Sequence, residues 1–155
     1  MKRVVTFLLI LLSLYTVFGL ALASEKIILP MESLYLFVYC GVIGGIGGIT
    51  YCLRGVYLNT CVYKRWDNSW LPWYFIRPVV SFICGVVSCL FLKAGLFVLE
   101  ANQSLNPTNL GFLSLAFVAG LNVDKFTKKI EDIAQVTWGI EPTRSQEISK
   151  GNHGT

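Results

Sequence analysis

Charge is scarce in this chain of 155 residues: Asp, Glu, Lys and Arg together make up 14%, where soluble proteins carry roughly 25%. No Asp or Glu falls within residues 4–23, 34–53, 73–99 or 110–123. Histidine occurs once, at His153 in a polar tail. An intramembrane protease or transferase needs paired acids, a Ser–His dyad or a metal site, and the sequence offers none at a readable spacing. The five cysteines have no framework or zinc-like spacing, and Cys40, Cys52, Cys84 and Cys89 lie inside apolar runs as small apolar groups. Only Cys61 lies in a connecting loop. Catalysis, a metal and a cofactor are therefore not expected. The net charge of +4 is too dilute for nucleic-acid binding, which uses a dense basic face.

Apolar residues, by contrast, make up 54% of the chain, with a mean hydropathy of +0.60. Crossing about 30 Å of hydrocarbon takes roughly 20 mostly apolar residues at 1.5 Å each. Residues 4–23, 34–53 and 73–99 meet that length, and a shorter stretch spans 110–123. The expected fold is all-α, an integral membrane helical bundle. Residues 1–23 read either as a cleavable signal peptide or as a first span. Met1-Lys2-Arg3 is a positive start, and Ala21-Leu22-Ala23 is a small-x-small cleavage pattern ahead of Ser24. An apolar stretch near 20 residues is longer than the usual leader, which keeps the retained helix open beside the cleaved signal peptide. A transmembrane domain over 24–123 follows, with spans near 34–53, 73–99 and 108–123. Residues 124–140 form an amphipathic helix, with Val123, Phe126, Ile130 and Ile133 recurring at helical spacing against Asp124, Lys125, Lys128, Lys129 and Asp132. The polar composition of 141–155 predicts disorder.

Basic residues alternate from side to side. The 54–72 loop holds Arg54, Lys64 and Arg65, and the tail holds Lys125, Lys128, Lys129, Arg144 and Lys150. The 100–109 segment has neither Lys nor Arg, and 24–32 has no basic excess. Cytoplasmic loops collect Lys and Arg, so the 54–72 loop and the C-terminus are expected inside. Trp66, Trp70, Trp73 and Tyr74 cluster before the third span as interfacial anchors.

Three features are candidates for function. Gly41, Gly44, Gly45, Gly47 and Gly48 place small residues four apart twice, as Gly41 with Gly45 and Gly44 with Gly48. Such a stripe lets helix backbones approach closely. It reads either as a seam with a second copy or a larger partner, or as packing against the third span of the same chain. Lys93 stands six residues before the end of its apolar run, about 9 Å below the surface at 1.5 Å per residue. It either snorkels to the interface or lines a pore. Arg77, at the other end of that run, reads as an interface anchor.

The order of Gly44-Gly45-Ile46-Gly47-Gly48, Ser69-Trp70-Leu71-Pro72-Trp73-Tyr74-Phe75-Ile76-Arg77-Pro78, Lys93-Ala94-Gly95-Leu96, Asn106-Pro107 and Ala119-Gly120-Leu121 resembles a family of small bacterial multi-pass membrane proteins of unassigned function. The resemblance covers residues 41–135. Ala94 and Ser81 stand where that family commonly has glycine. It implies bacterial origin and a multi-pass topology in the inner membrane, and nothing about activity.

The functional expectation is a non-enzymatic scaffold or accessory subunit whose partners are the lipid bilayer and either a second copy or a larger membrane protein. The alternative is a small oligomeric channel or transporter-like pore with Lys93 and Arg77 facing the lumen. Topology is directly testable: a reporter active only in the cytoplasm, fused after residue 150, should be active. A silent but well-expressed fusion contradicts the orientation.

Overall fold

The structure, a computed structural model, describes residues 2–24, 32–64, 70–95 and 110–139. Five α-helices occupy them: α1 (Lys2–Ala23), α2 (Glu32–Tyr57), α3 (Leu71–Lys93), α4 (Leu110–Leu121) and α5 (Val123–Trp138). The described residues contain no strand. Three helices are long and apolar enough to cross a membrane, and a fourth counts only if α4 and α5 together form one broken span. The chain is thus an all-helical protein whose apolar helices fit a membrane. Alone, the 12 residues of α4 reach about 18 Å, well short of the hydrocarbon thickness.

The helix boundaries differ from the apolar runs in instructive ways. α2 continues past residue 53 to Tyr57 and then directly into a π-helical turn, Leu58–Val62, closed by Tyr63 N–H donating to the Leu58 carbonyl at 2.9 Å. Hydropathy marks where the lipid-facing stretch ends, whereas the helix ends only where its hydrogen bonding does. Lys64, at φ +50°, takes the left-handed conformation that carries the chain away from that ladder. At its own end α3 stops earlier than the apolar run. Gly95, at φ +73°, donates to the Leu92 carbonyl, and Ala94 N–H donates to Leu90. This is a glycine-mediated C-terminal stop, and it makes Lys93 the last residue of α3 rather than one six residues inside a span. Pro78 is likewise interior to α3, not in its first turn. It removes one helical donor beside Arg77.

Residues 1–123 form one compact unit, and Asp124 onward a second. In the first unit α2 is the hub, packed by α1, α3 and α4, with α3 also packed on α4. One apolar cluster joins Val4 and Leu8 of α1 to Ile49, Cys52 and Val56 of α2 and Tyr74 of α3. A second joins Cys40, Cys89 and Ala116 from α2, α3 and α4. Between them lie the glycines. These pairings make α1 and α3 antiparallel to α2, while α4 runs parallel to it, as alternating passes require. In α5, Phe126 is buried and Ile130 and Ile133 are half-buried, while Asp124, Lys125, Lys128, Lys129 and Asp132 are exposed. This is the expected amphipathic helix. Residues 141–155 and Trp66 lie outside the described residues.

Where glycine meets backbone, no side chain can give way. A methyl on Gly44 would stand 2.7 Å from the Ser81 carbonyl oxygen and 2.8 Å from Gly85 Cα. One on Gly120 would collide with the Gly44 carbonyl, and one on Gly85 with the Cys40 carbonyl. Gly55 differs, because the nearest atom to an added methyl is the Tyr74 hydroxyl oxygen at 3.5 Å. Gly44→Ala and Gly120→Ala should each destabilise the bundle by about 1–3 kcal/mol through overpacking. Gly55→Ala should be neutral or stabilising by up to about 1 kcal/mol, since alanine favours helix. Reversible unfolding in detergent micelles checks the series, and equal effects at Gly44 and Gly55 would refute the packing.

Candidate functional site

The glycine stripe of α2 is divided among three neighbours of its own chain. Gly41 faces the Phe82 ring and Val86 of α3, where an added methyl would stand 2.7 and 2.9 Å away. Gly44 meets the α3 backbone at Ser81 and Gly85, and Gly48 meets the Ser81 side chain. Gly45 is covered by the Tyr15 ring of α1. Gly47 abuts the α4 backbone, 2.5 Å from the Phe117 carbonyl oxygen to the position of an added methyl. The four candidate association residues Gly41, Gly44, Gly45 and Gly48 do bring helices together, and the helices are the chain's own. A second copy using the same stripe would have to displace α1 or α3.

A buried hydrogen bond reinforces this crossing. Ser81 Oγ donates to the Gly120 carbonyl at 3.0 Å, tying α3 to α4. Gly120 lies in the last turn of α4, where carbonyls outrun the available helical amides. In a low-dielectric setting such an acceptor is costly to leave unmet. Ser81, one of the departures from the family pattern, thus has a definite structural role. Sequence reading marked it only as standing where glycine is common in the proteins it resembles, with no role attached. A serine inside an apolar helix, three residues after a proline, was the available signal.

The two basic candidates sit at opposite ends of α3. Arg77 and Lys93 are sixteen residues apart, about 24 Å along the helix axis. Arg77 is only 5% exposed, and its guanidinium carbon lies 4.6 Å from the centroid of the Tyr51 ring and 5.0 Å from that of Trp73. A planar cation packed against two adjoining aromatic rings is held by the ring quadrupoles, and desolvation strengthens that attraction. Arg77 therefore ties α2 to α3 through the Tyr51 ring. Lys93 is exposed at the C-terminus of α3, with Nζ 4.8 Å from the Phe37 ring. A cation there also complements the negative end of the helix dipole. The structure does not bring the two together.

Around Arg77 the interfacial aromatics form a cluster of their own. The Trp73 and Tyr74 rings meet edge to face at 5.2 Å between centroids, and Tyr51 lies 5.9 Å from Trp73. Tyr74 is buried. Its hydroxyl accepts from the Asn59 side-chain amide at 3.4 Å, across to the π-helical turn. Beside these rings lies a cavity of about 290 Å³ lined by Tyr51, Arg54, Gly55, Leu58, Asn59, Trp70, Trp73 and Tyr74. Sequence reading marked Trp70, Trp73 and Tyr74 as anchors but missed the cavity, because the π-turn that carries Asn59 into it leaves no pattern in composition. Among the described residues no group of three or more His, Cys, Asp or Glu is placed to hold a metal ion.

Comparison with protein-family models, with curated proteins and with solved structures finds no match for this chain.

Proposed function

We propose that this protein is a non-enzymatic integral membrane scaffold or accessory subunit, seated in a bacterial inner membrane with its C-terminus in the cytoplasm. The observation that carries this reading is the closed glycine crossing. Gly44, Gly85 and Gly120 meet backbone to backbone, so the described bundle is packed main chain to main chain at its centre, which speaks against a conduit through a single copy. A solid bundle of this kind suits holding a position in the membrane and offering its flanks to others.

In this reading α1 is retained as the first span. Val4, Leu8 and Leu22 are fully buried, and Tyr15 covers Gly45; cleavage after Ala23 would strip that cover from α2. With α1 in place, the surface left for lipid or a larger membrane partner is the outward apolar face of α1 and α3. Ile10, Leu14 and Val17 on α1 and Ile76, Val79 and Ile83 on α3 are all exposed there. The glycine stripe builds the protomer, and association with a partner or a second copy falls to these outer faces. α5, with its charged face, supplies a helix suited to an anionic membrane surface.

A pore would need Lys93 and Arg77 to face one lumen, whereas Arg77 is buried against two rings and Lys93 stands at the far end of α3. Conductance decides between the readings. Purified, folded protein in planar bilayers should give no discrete currents, and Lys93→Gln should behave identically. Discrete currents whose anion selectivity falls in Lys93→Gln would overturn the scaffold reading, because basic rings bias a pore toward anions.

A further inference from the structure

We propose that the cavity at the shared end of α2 and α3 is a binding site for the phosphate-bearing headgroup of an anionic phospholipid. The inference stands on the cavity's position and chemistry and is independent of the scaffold reading. The cavity is lined by the last turns of α2, the π-helical turn and the first turn of α3. It therefore lies where the apolar run of α2 gives way to polar chain, the level at which headgroups sit. Its volume of about 290 Å³ is at the lower limit of ligand pockets, roughly 300–1,000 Å³. That size admits a headgroup rather than a large soluble cofactor.

The lining chemistry selects an anion. Arg54 is exposed and lines the cavity, and a guanidinium is the side chain best matched to a phosphate. None of the described lining residues is acidic. A second positive charge stands close by, since Arg77 stacks on the Tyr51 and Trp73 rings that form part of the wall. The Asn59 amide and the Trp70 and Trp73 indoles add neutral donors. Trp and Tyr rings favour the interfacial depth at which lipid glycerol and headgroup lie. Basic pockets between membrane helices are suited to anionic lipid headgroups. The π-helical turn is the local irregularity that opens the site, and such turns recur at functional positions.

The test uses the full-length protein in a neutral detergent, with its melting temperature followed on adding lipid. Phosphatidylglycerol should raise the melting temperature saturably, as a ligand that binds only the folded state does. Phosphatidylcholine at the same concentration should have little effect. Arg54→Gln should weaken the apparent affinity for phosphatidylglycerol about five- to tenfold, and Arg54→Lys should restore much of it. Because Arg54 is exposed, the lipid-free melting temperature of both variants should match the parent protein, which separates loss of binding from loss of folding. Lys93→Gln, which alters an exposed basic residue at the other end of α3, should leave the response unchanged. An equal response to the two lipids overturns the site. So does an unaltered phosphatidylglycerol response in Arg54→Gln, or equal weakening in Lys93→Gln, which would indicate diffuse surface charge. Glycerol phosphate in water reproducing the full Arg54-dependent shift would overturn the lipid as the source and leave a site for a soluble phosphate.

Discussion

Everything in this bundle depends on main chain touching main chain at Gly44, Gly85 and Gly120. In water, helices are driven together by burying apolar surface, but lipid tails are as apolar as leucine and that drive is absent. What remains is close van der Waals contact, weak Cα–H contacts to carbonyl oxygens and the occasional interhelical hydrogen bond. All of these fall away steeply with distance, so the backbones must approach until no side chain fits between them. Three glycines from three different helices meet that requirement, and Ser81 adds the hydrogen bond to Gly120 that lipid cannot supply.

The two ends of the bundle can differ because the crossing fixes the middle. At one end, small groups close the core: Cys40, Cys89 and Ala116 pack together, with Phe37 packed against them and Lys93 exposed beside its ring. At the other, the helices diverge enough for large rings, with Tyr74 buried and Arg77 enclosed by Tyr51 and Trp73. An arginine so enclosed would be costly without compensation, and the two ring faces offset part of its desolvation. The same divergence leaves the cavity beside Arg54. Charge, aromatics and open volume thus concentrate where the glycine contact ends.

Much of this was legible in the sequence. Hydropathy located α1, α2 and α3, and helical spacing located α5, because each pattern is long enough to be unambiguous. The small-residue spacing of Gly41, Gly44, Gly45 and Gly48 announced close helix contact but not whose helix would fill it. That depends on Gly85, Gly120 and Tyr15, which are isolated in sequence and meet the stripe only in three dimensions. Helix ends were the least legible. The apolar run past Lys93 masked the stop made by Gly95, and the polar residues after Leu53 masked the helix through Tyr57 and its π-turn. Arg77 was readable as a charge at an interface, whereas its enclosure required the positions of Tyr51 and Trp73 on two helices.

The central claim, that α2 spends its glycine stripe on its own α3 and α4, is most directly tested at Cys40 and Cys89. Their thiols meet across α2 and α3 one turn from the glycine crossing. With Cys52, Cys61 and Cys84 replaced by serine, iodine treatment of membranes should join Cys40 to Cys89 within one chain. Mass spectrometry of the intact product would show a monomer lighter by two hydrogens. Covalent dimers as the main product, or both cysteines remaining as free thiols, would contradict the account.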